Sequence, residues 1–320
     1  MKTIGVLTSG GDAPGMNAAI RAVVRTGIEN DMRVFGINNG FEGLMDGDIM
    51  EMNLRSVSNI IQRGGTILHT ARSEEFKTLR GQQKAADMCR RLGIESLVII
   101  GGDGSFRGAQ ELAKQGINCV GIPGTIDNDI ACTDYTIGYD TAMNTVMEMV
   151  DKVRDTTESH SRCSVVEVMG RNAGYIALYS GISVGATSIL VPEFKYDFEI
   201  DIIDRMKKTI STGKRHFIII LAEGCGNATK MAKEIQERTG VETRATILGH
   251  VQRGGSPTVR DRVLASRMGN YAVRLFNHSH ESRIIGVKAD EIVDYPIDEA
   301  LAMEKTLDLE TYRMAHEISI

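Results

Sequence analysis

Several features that mark other classes of protein are scarce or absent in this sequence. No apolar run approaches the ~20 residues that a membrane-spanning helix requires, and the opening stretch Thr3–Leu7 reads as a strand rather than as a signal peptide. Only five prolines occur in 320 residues, and no low-complexity segment marks a linker. The five cysteines form no C-x-x-C pair, which disfavours a disulfide framework or a zinc site. We therefore expect a cytoplasmic protein that does not bind a membrane.

The charge balance excludes another class of function. The chain has 37 Lys and Arg against 42 Asp and Glu, a net charge of −5, which argues against general nucleic-acid binding. A protein of this charge that binds anions has to gather its cations locally, and arginines do cluster at 154–171 and 244–262. Solvated surface arginine is nevertheless the usual interpretation of most basic residues. The length favours one large or two medium domains.

Short apolar strands alternate with helix-length amphipathic segments. The predicted strands are Thr3–Leu7, Arg33–Ile37, Ser96–Ile100, Asn118–Ile122, Ser164–Val168, Ser188–Val191, His216–Leu221, Thr243–Leu248 and Ile284–Val287. The predicted helices are Met16–Glu29, Leu79–Leu92, Phe106–Gln115, Asp140–Thr156, Ala173–Val184, Glu199–Ile210, Ala228–Arg238 and Asp261–Phe276. Because this alternation favours parallel strands joined by right-handed crossovers, the predicted class is α/β.

Glycines and aspartates follow predicted strands at two places. Gly101–Ser105 (Gly-Gly-Asp-Gly-Ser) comes after the third predicted strand, and Gly121–Asp129 (Gly-Ile-Pro-Gly-Thr-Ile-Asp-Asn-Asp) continues the fourth. Glycines at a strand end leave backbone N–H groups facing an anion, and aspartates can hold the Mg²⁺ that accompanies it. Ser9–Gly15 adds a third such loop before the first helix. The pattern predicts a nucleotide-phosphate site and phosphoryl transfer.

Each motif also has another interpretation. Ser9–Gly15 lacks the G-x-G-x-x-G spacing of dinucleotide sites, Pro14 occupies the loop, and no acidic residue ends the second strand, so hydride chemistry is disfavoured. Gly101–Ser105 alone is compatible with a tight strand-to-helix turn. Asp127–Asp129 alone is compatible with Asx turns in a surface loop.

Five motifs together carry a family resemblance. They are Thr8–Asn17, Gly101–Ser105, Pro123–Asp129, Val168–Arg171 and Leu248–Ser256, in this order over the full length. The set resembles the ATP-dependent 6-phosphofructokinases of bacterial type. The resemblance implies two Rossmann-like three-layer domains with mostly parallel sheets and an active site in the cleft between them. It implies a larger, ATP-binding domain of residues 1–138 plus 252–302, and a smaller, fructose-6-phosphate-binding domain of residues 139–251 plus 303–320.

The implied activity is the Mg²⁺-dependent phosphorylation of fructose 6-phosphate at its 1-hydroxyl, the committing step of glycolysis. The catalytic residues implied are Gly11, Arg72, Thr125, Arg171 and, as general base, Asp127. The ATP contacts implied are Gly11, Arg72, Ser73, Gly102, Asp103, Gly104 and Ser105, with Asp103 and Asp129 on the metal. Pyrophosphate-using relatives carry bulkier residues at the positions of Gly104 and Gly124, so glycine at both favours ATP.

The resemblance also implies how the sugar is bound. Its contacts are Thr125, Ile126, Asp127, Arg162, Met169, Gly170, Arg171, Glu223, Arg244, His250 and Arg253. Arg162 and Arg244 act from a neighbouring subunit of a homotetramer, and arginine suits a phosphate because it donates two parallel hydrogen bonds. Glu223 is expected to accept hydrogen bonds from sugar hydroxyls. His250 alone would be interpreted as a structural histidine.

A second anion site is implied, between subunits, with ADP as activator and phosphoenolpyruvate as inhibitor. Arg21 and Arg25 share one helix face, which alone would indicate a solvated surface. The implied set is Arg21, Arg25, Arg55, Arg154, Gly185, Thr187, Lys214 and His216. The sequence departs from the family at Leu54, where arginine is frequent, at Thr212, where lysine is frequent, and at Thr187, where a glutamate helps to bind the effector's Mg²⁺. We expect weak or altered activation by ADP.

Two alternatives stay open. One is a sugar-phosphate kinase of other specificity, including a pyrophosphate-dependent one. The other is a catalytically silent nucleotide-sensing subunit, which is disfavoured because Asp103, Asp127, Asp129 and Arg171 are all present.

Overall fold

The chain divides into two compact units. The computed structural model describes residues 2–319. Unit 1 comprises Met1–Thr141 and Arg253–Lys305, and unit 2 comprises Ala142–Gln252 and Thr306–Ile320. The boundaries expected from the sequence differ from these by one to three residues, and the terminal residues 1 and 320 of that expectation lie outside the described part. The assignment of a ligand to each domain stays a prediction.

Unit 1 contains a seven-stranded sheet in the order β11-β10-β5-β4-β1-β2-β3. Its strands are β1 (Thr3–Thr8), β2 (Arg33–Ile37), β3 (Ile49–Met52), β4 (Ser96–Gly101), β5 (Asn118–Pro123), β10 (Arg283–Lys288) and β11 (Glu291–Pro296). The five central strands pair in parallel, whereas β3 and β11 are antiparallel edge strands. The parallel pairs align the carboxyl ends of β1, β4 and β5 along one edge of the sheet.

Helices cover both faces of this sheet. They are α1 (Met16–Glu29), α2 (Gly40–Asp46), α3 (Leu79–Leu92), α4 (Asp103–Lys114), α9 (Val259–Leu275) and α10 (Ile297–Ala302). Leu97 and Ile99 of β4 pack in one hydrophobic cluster with Phe106 of α4, and the intervening Val98 and Ile100 are also fully buried. Because successive strand residues point to opposite faces, burial of both sets means that both faces are covered.

Unit 2 contains a four-stranded parallel sheet in the order β7-β8-β6-β9. Its strands are β6 (Cys163–Val168), β7 (Ser188–Leu190), β8 (Phe217–Ala222) and β9 (Thr243–Ile247), and its helices are α6 (Tyr175–Ser183), α7 (Arg205–Ser211), α8 (Ala228–Thr239) and α11 (Leu309–Glu317). Helix α5 (Tyr139–Ser159) begins in unit 1 and continues in unit 2. The predicted α/β class with mostly parallel sheets is confirmed. Across residues 2–319, no helix has both the length and the apolar character needed to cross a bilayer.

The sequence prediction was wrong in several details, including the helix predicted at Glu199–Ile210, where Glu199–Asp204 is a π-helix and α7 begins at Arg205. It missed β3 and β11, the two antiparallel edge strands, which are partly exposed. It also began α4 at Phe106, whereas the helix begins at Asp103, because the N–H groups of Ser105 and Phe106 both donate to the Gly102 carbonyl, at 3.0 and 3.1 Å. Asp103, Gly104 and Ser105 therefore form the first turn of a helix and are not a free loop.

The start of α5 is fixed by a carboxylate from α9. The Asp261 side chain accepts hydrogen bonds from the N–H of Gly138 at 2.9 Å, from the N–H of Thr141 at 2.8 Å and from the Thr141 hydroxyl at 2.5 Å. Burial raises the pKa of Asp261 to about 6, against the effect of these three bonds. A buried carboxylate thus satisfies N–H groups at a helix start that would otherwise be left without acceptors.

Candidate active site

Three of the predicted anion-binding segments lie side by side at one edge of the unit 1 sheet. Each continues a strand, and β5, β4 and β1 are neighbours in that order. The Ser9 N–H donates to the Ile100 carbonyl at 3.0 Å, and the Gly124 N–H donates to the Gly101 carbonyl at 2.9 Å. The Ser105 hydroxyl then donates to the Ser9 carbonyl at 3.0 Å. The tertiary structure therefore joins the segments that carry Gly11, Gly102–Ser105 and Thr125–Asp129.

The first turn of α4 presents backbone N–H groups beyond the end of β4. A helix N-terminus attracts anions through these groups and through the helix dipole. A Cβ added at Gly104 would meet no atom within 4 Å, so the space beside it is open. At Gly124, in contrast, a Cβ would lie 3.0 Å from Ile100 Cγ2 and 3.2 Å from Met16 Cε. A side chain at 124 would thus require core atoms to shift by a few tenths of an ångström, whereas open space at 104 leaves room for a ligand.

Asp127 and its neighbours form a tightly bonded loop after β5. Asp127 is only 2% exposed, and its N–H donates to the Thr125 hydroxyl oxygen at 3.2 Å. Asn128 has a positive φ of 51°; its side-chain amide donates to the Asp134 carbonyl at 3.1 Å, and its side-chain oxygen accepts from the Thr136 N–H at 3.1 Å. The loop is therefore a buried, ordered structure and not an exposed turn.

Two carboxylates of this edge share one small cavity. Asp103 and Asp129 line it together with Lys305. Asp103 Oδ2 lies 2.8 Å from Arg107 Nε, one helical turn further along α4. Burial lowers the pKa of Lys305 to about 8, with a further lowering by Lys288 and an opposing effect from Asp129 and Asp134. Because Mg²⁺ in nucleotide sites is held by one or two carboxylates together with phosphates and waters, this pair of aspartates fits that ion.

Unit 2 gathers a second set of predicted residues at the carboxyl ends of its strands. Glu223, directly after β8, accepts hydrogen bonds on Oε1 from the N–H groups of Gly170 at 3.1 Å and Arg171 at 2.6 Å, which follow β6. Gly170 has a φ of 140°, and a Cβ there would lie 2.4 Å from the Ala173 carbonyl oxygen, so the turn requires glycine. Glu223 thus organises the Met169–Arg171 turn in addition to its predicted role.

Gln252 is a residue of this set that sequence reasoning missed. It is fully buried, accepts from the Met169 N–H at 3.2 Å and donates to the Gly249 carbonyl at 3.0 Å. It therefore ties the turn after β6 to the segment after β9. Its place in the motif Leu248–Ser256, next to Arg253, was the only signal in the sequence.

The two arginines predicted to bind the sugar phosphate converge on one carboxylate. Arg162 Nε lies 2.9 Å from Glu242 Oε2, and Arg244 Nη2 lies 2.7 Å from Glu242 Oε1. Arg162 has the largest effect on Glu242 and lowers its pKa, and Arg244 lowers this pKa further. The pairing of β6 with β9 sets Ser164 opposite Arg244 and so makes the two arginines neighbours. Glu242, which sequence reasoning also missed, holds them together.

The remaining predicted residues are divided between the units. Arg253 belongs to unit 1, where its Nη1 donates to the Asp12 carbonyl at 3.1 Å, beside Gly11. The Ser73 hydroxyl oxygen accepts from the Phe76 N–H at 3.2 Å, so it organises the turn that carries Arg72. Ile126 is fully buried. Arg72, Arg171 and His250 are exposed.

The predicted effector residues are divided between the two units. In unit 2 the Lys214 ammonium donates to the Thr187 hydroxyl oxygen at 3.2 Å, and Arg154 donates to the Val184 carbonyl. Burial, followed by the charge of Arg154, lowers the pKa of Lys214. In unit 1 burial and the charge of Arg25 lower the pKa of Arg21. Gly185 and His216 adjoin the unit 2 group in the chain, and Arg55 belongs to unit 1.

Fold and strand-end loops together define an α/β protein with anion-binding segments at the carboxyl ends of parallel strands. A family model described as Phosphofructokinase matches residues 3–276. Proteins named ATP-dependent 6-phosphofructokinase from Clostridium tetani and Clostridium botulinum are each 59% identical to this chain over 323 residues, and the match covers 100% of both chains. The chain belongs to the phosphofructokinase family.

Solved structures have the same fold. Phosphofructokinase from Saccharomyces cerevisiae matches with a TM-score of 0.88 and 38% identity, over 94% of this chain and 45% of the yeast chain, so this chain spans less than half of the yeast protein. A pyrophosphate-dependent phosphofructokinase from Marinobacter aquaeolei matches with a TM-score of 0.86 over 100% of this chain and 92% of that one. At 19% identity, this second match shows the fold alone.

Proposed function

We propose that this chain transfers the γ-phosphoryl group of ATP to the 1-hydroxyl of D-fructose 6-phosphate, giving fructose 1,6-bisphosphate and ADP, as the committing step of glycolysis in the cytoplasm. The observation that carries the proposal is the 59% identity, over the full length, to proteins named ATP-dependent 6-phosphofructokinase. Three features of unit 1 support the proposal: the N–H groups of the first turn of α4, which suit phosphates, Asp103 and Asp129, which suit a metal, and the buried Asp127 in an ordered loop.

Phosphoryl transfer requires alignment, charge stabilisation and an acceptor for the hydroxyl proton. The bond from the sugar O1 to the γ-phosphorus forms while the bond from that phosphorus to the β,γ-bridging oxygen breaks, and Asp127 takes the proton of the 1-hydroxyl. Asp103 and Asp129 would hold Mg²⁺, which supplies neutralising charge to the phosphates when bound. Arg72 and Arg171 stabilise charge on the moving group. Gly11, Ser73, Gly102, Gly104 and Ser105 bind ATP.

The sugar is proposed to bind unit 2. Met169, Gly170, Glu223 and His250 contact it there, with Thr125, Ile126 and Arg253 from unit 1, and Arg162 and Arg244 of a neighbouring subunit bind its 6-phosphate. This arrangement requires an oligomer, which we propose to be a homotetramer. The pairing of both arginines with Glu242 supports their proposed role in binding the 6-phosphate. The shared carboxylate holds the two guanidinium groups side by side, and the phosphate dianion would take its place.

A coupled assay tests the proposed reaction. With fructose 6-phosphate and Mg²⁺, we expect turnover with ATP and at least a hundredfold lower turnover with pyrophosphate. Fructose 1,6-bisphosphate is identified by aldolase-coupled oxidation of NADH. Comparable rates with pyrophosphate would contradict the choice of donor. No product with either donor, from a folded tetramer, would indicate a nucleotide-sensing subunit.

Replacing Arg244 by alanine is expected to raise the KM for fructose 6-phosphate roughly 10- to 100-fold and to change kcat little, because lost charge-assisted hydrogen bonds cost about 1.5–3 kcal/mol. Arg244→Lys should recover only part of this loss, since an ammonium lacks the planar pair of donors. Arg238, which pairs with Glu234 and Glu199 on the surface of unit 2, provides the matched control. An equal KM effect in Arg238→Ala would contradict a specific role for Arg244.

The effector prediction follows from Thr187, which is 1% exposed and bonded to Lys214. A threonine supplies no carboxylate for a metal-linked diphosphate, whereas Lys214 and Arg154 suit a metal-free carboxylate and phosphate. We expect saturating ADP to lower the half-saturating concentration of fructose 6-phosphate by less than about twofold and phosphoenolpyruvate to raise it, with Lys214→Met abolishing the response to phosphoenolpyruvate. Strong ADP activation would show that the absence of this carboxylate does not matter.

A further inference from the structure

Lys305 joins the two ends of the loop that carries the proposed general base and the proposed metal ligand. Its ammonium group donates to the Asn128 carbonyl at 2.8 Å and to the Thr133 carbonyl at 2.9 Å. Lys305 follows α10 and lies 177 residues from Asn128 in sequence. A distant segment of unit 1 therefore returns to fasten this loop.

The Asn128 carbonyl bears on the backbone direction at Asp129, because it belongs to the peptide unit between Asn128 and Asp129. A peptide unit is planar, so fixing its carbonyl oxygen fixes the direction in which the next residue leaves it. Asn128 also has a φ of 51°, in the left-handed region that asparagine tolerates better than most non-glycine residues. The held peptide unit leads directly into Asp129, and Asp127 precedes Asn128 in the chain, so the conformation of Asn128 bears on the direction of both aspartates.

The other end of the bridge is anchored to the sheet. Thr133 is fully buried, and its hydroxyl accepts from the N–H of Val287 in β10 at 2.9 Å and donates to the Tyr135 carbonyl at 2.8 Å. Lys305 thus connects the Asn128 carbonyl to a residue that is bonded to the sheet. Its charge also faces the cavity that Asp103 and Asp129 line, where it attracts the carboxylate of Asp129.

We propose that Lys305 is a positioning residue for phosphoryl transfer: by holding the Asn128 carbonyl against Thr133, it sets the directions of Asp127 and Asp129. This inference rests on the proposed function. Lys305 contacts neither substrate in this role and acts only through the loop.

The test compares Lys305→Met with Lys288→Met. Lys288 is the matched control, because it is 41% exposed, pairs with Asp134 at 3.2 Å and reaches the loop at the Ala131 carbonyl, at 3.5 Å, rather than at the Asn128 carbonyl. For Lys305→Met we expect kcat to fall about 10- to 100-fold, the scale of a roughly 1 Å misplacement, with the KM for fructose 6-phosphate changed less than threefold. Lys288→Met should stay within threefold in both constants. Lys305→Arg keeps the charge and the hydrogen-bond donors. Its log kcat should therefore regain at least a third of the decrease measured for Lys305→Met.

Hydrogen exchange gives a readout that does not depend on activity. In Lys305→Met, without ligands, backbone amides of residues 126–136 should exchange at least tenfold faster, while those of β6 and β8 stay unchanged. Should Lys305→Met fail to fold, kcat and amide exchange are measured on Lys305→Arg and Lys305→Gln instead. Residues 126–136 are then expected to exchange more slowly in the arginine variant than in the glutamine variant. Unchanged exchange, or equal losses of kcat in the Lys305 and Lys288 variants, overturns the inference. Faster exchange in a chain whose wild type has no activity would leave the positioning of the loop intact and reject the proposed function instead.

Discussion

Asp127→Asn is expected to lower kcat roughly 10²- to 10⁴-fold, the range typical of a lost general base. Asparagine has nearly the same shape as aspartate, and the Asp127 N–H that bonds Thr125 is unchanged, so the buried loop should keep its conformation. The KM for fructose 6-phosphate should change little. Steady-state assays with fructose 6-phosphate and MgATP measure the loss, and thermal unfolding checks the fold.

Asp129→Asn separates the role of base from that of metal ligand. Its activity should recover in part as Mg²⁺ is raised, because excess metal compensates for a weakened site, whereas the activity of Asp127→Asn should not respond. Near-normal turnover by Asp127→Asn, or a recovery with Mg²⁺ equal to that of Asp129→Asn, would remove Asp127 from the role of base.

Gly104→Asp is expected to lower kcat/KM for ATP about 10²- to 10³-fold. The added carboxylate would occupy the open space beside the first turn of α4 and would place a negative charge against the phosphates of the nucleotide proposed to bind there, and like charges in contact cost several kcal/mol. The protein itself should be as stable as wild type or slightly more so, since an acidic residue in the first helical turn contributes about 0.3–1 kcal/mol. Loss of ATP use without loss of stability is the expected signature.

Gly104→Ala provides the control, because its Cβ meets no atom within 4 Å and brings no charge. Its kcat/KM for ATP should stay within about tenfold of wild type. Gly124→Ala should behave differently and destabilise the protein, since its Cβ presses on Ile100 and Met16. An unchanged kcat/KM for ATP in Gly104→Asp would show that the nucleotide does not bind next to this residue.

Much of the fold was predictable because its core strands are strongly apolar. The helices Met16–Glu29 and Leu79–Leu92 have the predicted bounds, and the parallel strands are continuous buried segments. Strands β3 and β11 were missed because an antiparallel edge strand is exposed on one side and shows no such apolar run. The start of α4 was missed because glycines at a helix N-terminus resemble a loop.

The residues of the candidate site were likewise only partly predictable from the sequence. Glycine-rich strand ends and the aspartates beside them are local patterns, so Asp103, Asp127 and Asp129 were nominated without a structure. Glu242, Gln252 and Lys305 were not, since each acts through a contact that its own neighbourhood in the chain does not reveal. Glu242 touches Arg162, Gln252 touches Met169, and Lys305 touches Asn128.

By itself, the sequence determined the class of fold, the strand ends that carry chemistry and the residue types available there, because these depend on periodicity and on short motifs. The tertiary structure alone decided which groups hold those residues in place. These contacts join residues 80 to 177 positions apart in the chain, and hydrogen bonds act only between atoms that the fold has already brought within about 3 Å.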